Sequence, residues 1–197
     1  MLVAEAVGRA LARHGAGAVF GLLGSGNLTV TNALRDAGVP FHAARHEGGA
    51  ICMADGYARV SGRLAVCSVH QGPGLTNAVT GLTEAAKSRT PLLLLAADTS
   101  AAALRSNFRI DQAALVEAVG AVAERVHGPD SAMADVARAV RRARVERRTV
   151  VLMLPLDVQA GDCDGEVVEH EPPLVPPAPA AESVAELTAL LAAAQPP

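Results

Sequence analysis

The chain has almost no aromatic residues to build with. Its 197 residues include no Trp, one Tyr and three Phe, although half of the chain is hydrophobic. A core of this composition is made from Ala, Val and Leu, which fill space only when backbones approach closely; eighteen glycines suit that need. Long hydrophobic runs are missing too. No apolar stretch reaches the roughly 18 residues a membrane helix requires. The opening MLVAEAVGRALARHG lacks the basic flank and apolar run of a secretory signal and reads as an amphipathic helix. Nor does one sign of charge dominate. The formal net charge is −3, which leaves no electrostatic footprint for nucleic acid. The one basic cluster, Arg138, Arg141, Arg142, Arg144, Arg147 and Arg148, falls at the end of an expected helix. Cations there complement the helix dipole, so a solvated helix end is expected. Cysteine is scarce: Cys52, Cys67 and Cys163 form an odd set without metal-ligand spacing. Cys52 and Cys67 sit in apolar patterns and read as small core residues. A reducing, cytoplasmic compartment is the expectation.

What is present is a clear alternation of periodicities. Helical patterns cover Leu2–His14, Asn27–Ala37, Glu47–Ser61, Gly74–Lys87, Asp111–Val119 and Ser131–Glu146, the first three closed by Gly15, Gly38 and Gly62. Between them lie short apolar runs at Ala18–Leu23, Val39–Ala43, Leu64–His70, Pro91–Ala97, Ala123–Val126 and Thr149–Leu154. Six strands joined through helices imply a three-layer α/β/α fold with a mainly parallel sheet. In such sheets ligands bind beyond the carboxyl ends of the strands. The loops after Leu23, Ala43, His70 and Ala97 are therefore the ones to watch.

The tail changes character. Residues 171–180, EPPLVPPAPA, form a proline-rich linker. Ser183 and Glu186 have capping-box spacing before VAELTALLAAA. We expect a first domain over 1–165, a linker over 166–181, and over 182–197 the first helix of a second domain that these residues do not contain. The alternative is a helix that docks back on the first domain.

Three loops carry candidate chemistry. The first, GLLGSGN from Gly21 to Asn27, joins a strand to a helix start, where backbone N–H groups attract anions. Its spacing is not GxGxxG, a nucleotide-binding Rossmann site would also need an acidic residue where Ala43 and Ala44 stand, and a plain tight turn explains the loop as well. The second holds Arg45, His46 and Glu47. His46-Glu47 resembles the start of a zinc-protease helix, but Ala50 occupies the place of the second histidine. Glu47 falls in a first helical turn, where the dipole favours an acid. The small face behind it (Gly48, Gly49, Ala50, Met53, Ala54 and Gly56) can press against a neighbouring helix. Dry surroundings favour the neutral carboxyl, which makes Glu47 a candidate proton donor. The third loop, HQGPGLTN, presents backbone groups in a Gly-Pro-Gly turn; His70 reads equally as a structural histidine.

Taken together and in order, the three loops resemble the N-terminal pyrimidine-binding domain of thiamine-diphosphate enzymes, the group that includes acetolactate synthase, pyruvate oxidase and benzoylformate decarboxylase. The pattern R-H-E-x-x-A-x-x-x-A-D-G-Y-A-R is met by Arg45, His46, Glu47, Ala50, Ala54, Asp55, Gly56, Tyr57, Ala58 and Arg59, and G-P-G-x-T-N by Gly72, Pro73, Gly74, Thr76 and Asn77. The resemblance covers about residues 1–160.

The resemblance implies a mechanism and its residues. Glu47 matches the glutamate that hydrogen-bonds the pyrimidine ring and drives it to an imino form, whose nitrogen then removes the thiazolium proton. Gly24, Ser25, Pro73, Gly74 and Asn77 would line the cofactor, and Ser25, His70 and Gln71 the substrate. Diphosphate and Mg2+ are held in the family by another domain, from a partner subunit; its Gly-Asp-Gly motif is absent here, and no metal ligand is assigned. The chain is thus expected to be inactive alone. The site is expected to be completed by a homodimer, a higher oligomer or a separate subunit, with Gly48, Gly49, Met53 and Tyr57 as contacts. Some positions depart from the pattern. The first loop lacks its usual proline, Gln71 replaces a serine, and Ile110-Asp111-Gln112 keeps little of a Phe-Gln-Glu segment. The pair Ser25 and His70 is similar to that of benzoylformate decarboxylase. Three functions follow: an acetolactate-synthase-type carboligase acting on a 2-oxoacid, a simple 2-oxoacid decarboxylase using His70, or a non-catalytic binding module.

Overall fold

The computed structural model describes residues 1–165 and 177–194. Of the expected linker, 166–176 lie outside the described residues. The elements run α1 (Val3–Arg13), β1 (Ala16–Gly21), α2 (Leu28–Asp36), β2 (Phe41–Ala43), α3 (Glu47–Ser61), β3 (Leu64–Val69), α4 (Pro73–Asn77), α5 (Val79–Lys87), β4 (Leu92–Asp98), α6 (Gln112–Ala118), β5 (Val122–Arg125), α7 (Ala132–Arg144), β6 (Thr149–Pro155), α8 (Leu156–Gln159) and α9 (Ala181–Ala193). The six strands form one sheet in the order β2-β1-β3-β4-β6-β5, and every strand pair is parallel.

The sheet is covered on both faces because its strands are apolar on both. Val66, Leu93, Leu95, Val150 and Leu152 face α1, α2 and α7, whereas Ala65, Cys67, Leu92, Leu94 and Val151 face α3, α5 and α6. Leu92 to Leu95 are essentially fully buried, and each contributes about 1.5–3 kcal/mol of apolar burial. Close approach substitutes for aromatic bulk. A Cβ at Gly8 would lie 2.6 Å from that of Ala33, so α1 can seat directly on α2.

Several expectations need correction. The expected helix over Gly74–Lys87 is two helices that meet at Ala78. Strand β1 begins and ends two residues early, which frees Leu22 and Leu23 for the loop. Cys52 is exposed rather than in the core, because α3 buries positions 50, 51, 54 and 58 and residue 52 lies off that stripe. For the same reason the small face is divided: Ala50 and Ala54 point into the core, while Gly49, Met53 and Gly56 are exposed. The basic cluster is not simply solvated. Arg138 and Arg142 both reach Glu124, itself 7% exposed, at 2.9 and 2.8 Å. The capping box at Ser183 does not form, since α9 starts at Ala181 after an Ala180 N-cap with no side-chain cap bond. No residue of α9 is buried, so the helix does not dock back on the sheet. No helix among the described residues is long and apolar enough to cross a membrane.

Candidate functional site

Strands β1 and β3 are neighbours at the middle of the sheet, but the chain leaves them in opposite directions, toward β2 and toward β4. Their carboxyl ends therefore open a crevice where the loops diverge. Loops 22–27 and 70–72 face each other across it. Ser25 Oγ lies 3.4 Å from His70 Nε2, and His70 Nδ1 lies 3.3 Å from the carbonyl of Gln71. A proton on Nδ1 serves the carbonyl and leaves Nε2 to accept from Ser25. The ring of Phe108 lies over His70 at 5.1 Å.

The loops fit only as glycine. A Cβ at Gly24 would collide with His70 Cδ2, and one at Gly26 would collide with Gln71 Oε1 and lie 2.8 Å from Ala97 Cβ. Buried amides hold this backbone in place. Asn27 accepts from Gly24 N at 2.8 Å and donates to Leu22 O at 3.2 Å and Ser68 Oγ at 3.0 Å. Gln159 donates to Gly26 O at 2.9 Å and Leu154 O at 2.8 Å. Gln112 accepts from Gly72 N at 2.9 Å and donates to Ala97 O at 3.0 Å. Gln71 is the exception: its Oε1 is buried and has no hydrogen-bond partner in the structure.

Glu47 opens α3 and is 7% exposed. His46, the N-cap, accepts from Gly48 N through Nδ1 at 3.0 Å, so its ring caps the start of α3. Asn77 Nδ2 donates to Glu47 Oε2 at 3.0 Å. The other oxygen, Oε1, lies 3.6 Å from where a Cβ of Gly74 would be, and His70 Cβ lies 3.0 Å from that same point. Gly74 thus separates Glu47 from His70 with no side chain of its own. Beneath them Cys67 is fully buried; burial first, then the nearby Glu47 charge, pushes its thiol up.

The structure therefore brings Gly24, Ser25, His70 and Gln71 together on one side and Glu47, Gly74 and Asn77 on the other. Pro73 starts α4 between them, its missing N–H costing nothing at a first helical position. Phe108, Asn27 and Gln159 escaped sequence reasoning, and Gln112 entered it only as the end of a weak match to the Phe-Gln-Glu segment. Phe108 and Gln112 lie in or at the edge of an irregular segment with no period to read; Asn27 and Gln159 look like any polar residue beside a helix. Tyr57 is half-buried, with its ring centred 5.7 Å from that of Phe20. Among the described residues no group of three or more His, Cys, Asp or Glu could hold a metal ion.

A parallel sheet with a buried glutamate and a Gly-Pro-Gly turn at its crevice defines the class, and the comparisons agree. Residues 1–118 match the family described as thiamine pyrophosphate enzyme, N-terminal TPP binding domain. The chain belongs to this family. It is 31% identical over 197 residues, 99% of the chain and 33% of the relative, to sulfoacetaldehyde acetyltransferase of Rhodobacter capsulatus. It is 36% identical over 162 residues, 79% of the chain and 29% of the relative, to a probable 2-ketoarginine decarboxylase of Pseudomonas aeruginosa. To the acetolactate synthase isozyme 2 large subunit of Escherichia coli it is 41% identical over 98 residues, 50% of the chain and 18% of the relative. The chain spans about a third, or less, of the length of these proteins.

Proposed function

We propose that this chain is the pyrimidine-binding part of a thiamine-diphosphate-dependent 2-oxoacid enzyme of the acetolactate-synthase type. The observation that carries the reading is Glu47. It is buried at a helix start, tied at Oε2 by Asn77, and its Oε1 lies toward the open side of Gly74. The residues suit the group. Gly24 and Gly26 let the two loops pack against each other, Gly74 keeps a side chain out from between Glu47 and His70, and Gln71 Oε1 offers an unsatisfied acceptor.

When bound, thiamine diphosphate supplies the electron sink for breaking or making the bond next to a 2-oxoacid carbonyl. The chain's own residues prepare for that. Glu47 would hold the pyrimidine ring through Oε1 and exchange a proton with its nitrogen there, while Asn77 keeps the carboxyl from rotating. Ser25 and His70 present a hydroxyl and an imidazole to the substrate side, and Phe108 covers the ring. Diphosphate and Mg2+ belong to a domain outside these residues. The exposed side of α3, with Gly49 and Met53, is our candidate surface for the second subunit, with Gly48 half-buried beside it. A cytoplasmic location fits the three free thiols.

A second reading, simple decarboxylation, is favoured by one contact, the 3.4 Å approach of Ser25 Oγ to His70 Nε2. It would let Ser25 and His70 pass a proton toward the substrate side. The two readings separate in the complete enzyme. His70→Ala should cripple decarboxylation and leave carboligation largely intact. Isolated, the chain with thiamine diphosphate, Mg2+ and a 2-oxoacid should show no turnover; sustained turnover would sink the half-site reading.

A further inference from the structure

We infer that Gln112 is a positioning residue for this site, acting through the backbone of Gly72. The inference rests on the proposed cofactor function, but its geometry stands apart from it. Gly72 adopts φ 58° and ψ −108°, a conformation L side chains rarely take, and a Cβ there would collide with the carbonyl of Phe108. Its N–H points into the protein, where leaving a donor unpaired is costly. Gln112 Oε1 accepts that N–H at 2.9 Å. The same amide donates to Ala97 O at 3.0 Å, near the end of β4. Gln112 is 3% exposed, and both ends of its amide are occupied by main chain. It is therefore not offered to a ligand. It ties the turn after β3 to the neighbouring strand.

Gly72 lies between the two halves of the site. Two residues before it is His70, facing Ser25. One residue after it Pro73 starts α4, whose last residue, Asn77, holds Glu47. A shift at Gly72 therefore moves the imidazole and the carboxylate's anchor together. Among the described residues no other group bonds the Gly72 N–H. An ångström of displacement in a catalytic arrangement costs on the order of a hundredfold in rate.

Two variants and three readouts test this. Gln112→Leu keeps the volume and removes both bonds. Gln112→Glu keeps the acceptor for Gly72. In this chain, amide exchange at Gly72 should quicken at least tenfold in Gln112→Leu and much less in Gln112→Glu, and the His70 ring nitrogen resonances should move in the former. Exchange at Gly72 and His70 resonances that match wild type in Gln112→Leu overturn the inference, whatever the enzyme does. In the complete enzyme kcat should fall ten- to a hundredfold in Gln112→Leu with KM for the 2-oxoacid changed less than threefold, and Gln112→Glu should recover part of it. A loss confined to KM, or equal loss in both variants, also overturns it. A wild-type enzyme that binds no thiamine diphosphate would sink the functional reading alone and leave the exchange result standing.

Discussion

Asn77 and Glu47, thirty residues apart and on different helices, are joined by a 3.0 Å hydrogen bond from Nδ2 to Oε2. The bond exists because α4 ends at Asn77 and the chain turns at Ala78 before α5 begins. A continuous helix over this stretch, the expectation from periodicity, would not have set the amide off from the rest.

Replacing Glu47 by Gln keeps the shape and removes the exchangeable acid. In the complete enzyme kcat should drop by about 10²–10⁴, the usual worth of a positioned acid or base. Calorimetric affinity for thiamine diphosphate should change far less. Full activity in Glu47→Gln would favour the non-catalytic module.

Gly26→Ala tests the tightness of the first loop. The added methyl meets Gln71 Oε1 and Ala97 Cβ, so the loop must shift. Urea unfolding should show a loss of about 1–3 kcal/mol, the range for overpacking. Gly49→Ala, where a Cβ has open space, serves as the control.

Glu124 on β5 is 7% exposed and depends on Arg138 and Arg142, whose side chains are 43% and 35% exposed. Removing both arginines strands a carboxylate. Breaking a fully buried pair costs 3–5 kcal/mol; partial exposure brings the expected loss nearer to about 2 kcal/mol. Denaturant titration of Arg138→Ala/Arg142→Ala against Glu124→Gln measures it, and the glutamine variant should lose less.

Asp135 predicts the acid limb of stability. Burial pushes its carboxyl up, but hydrogen bonds from His127 N–H, Ser131 and Arg138 outweigh that and hold it below the ordinary range. A carboxyl held lower in the folded state stabilises fully above its unfolded value, about 3.9. That contribution fades as the pH falls through the folded value. Unfolding midpoints measured from pH 5 to pH 2 should fall, and less steeply in Asp135→Asn. Equal slopes in the two proteins would remove Asp135 from the account.

One thiol should be reactive and two silent. Cys52 is exposed on α3, whereas Cys67 and Cys163 are buried and the Cys67 thiol is held up by that burial. A native protein treated with an aromatic disulfide reagent should release one equivalent quickly, and Cys52→Ser should release none on that timescale.

Much of this was legible before folding. Strands β3 and β4 are continuous apolar runs, which only a sheet covered on both faces accommodates. Helix α3 starts and stops where its signals stand: an acid in the first turn and Gly62 at φ 68° past its end. Glycines mark the loops at 21–27 and 70–77 in the sequence, and within them the family resemblance points to Ser25 and His70, as it does to Glu47. What stayed hidden depends on register. Glu124 meets Arg138 only after β5 pairs with β6 and α7 returns across the sheet. Gln112 meets Gly72 across forty residues, through a segment with no repeating pattern. No local spacing encodes either meeting.

The clamps around the crevice are Asn27, Gln112 and Gln159, all primary amides, and none of them gains or loses a proton in the range where proteins fold. The frame is electrically silent. A change of pH therefore leaves these three clamps, and the hydrogen bonds they make to the loop backbone, uncharged and unchanged.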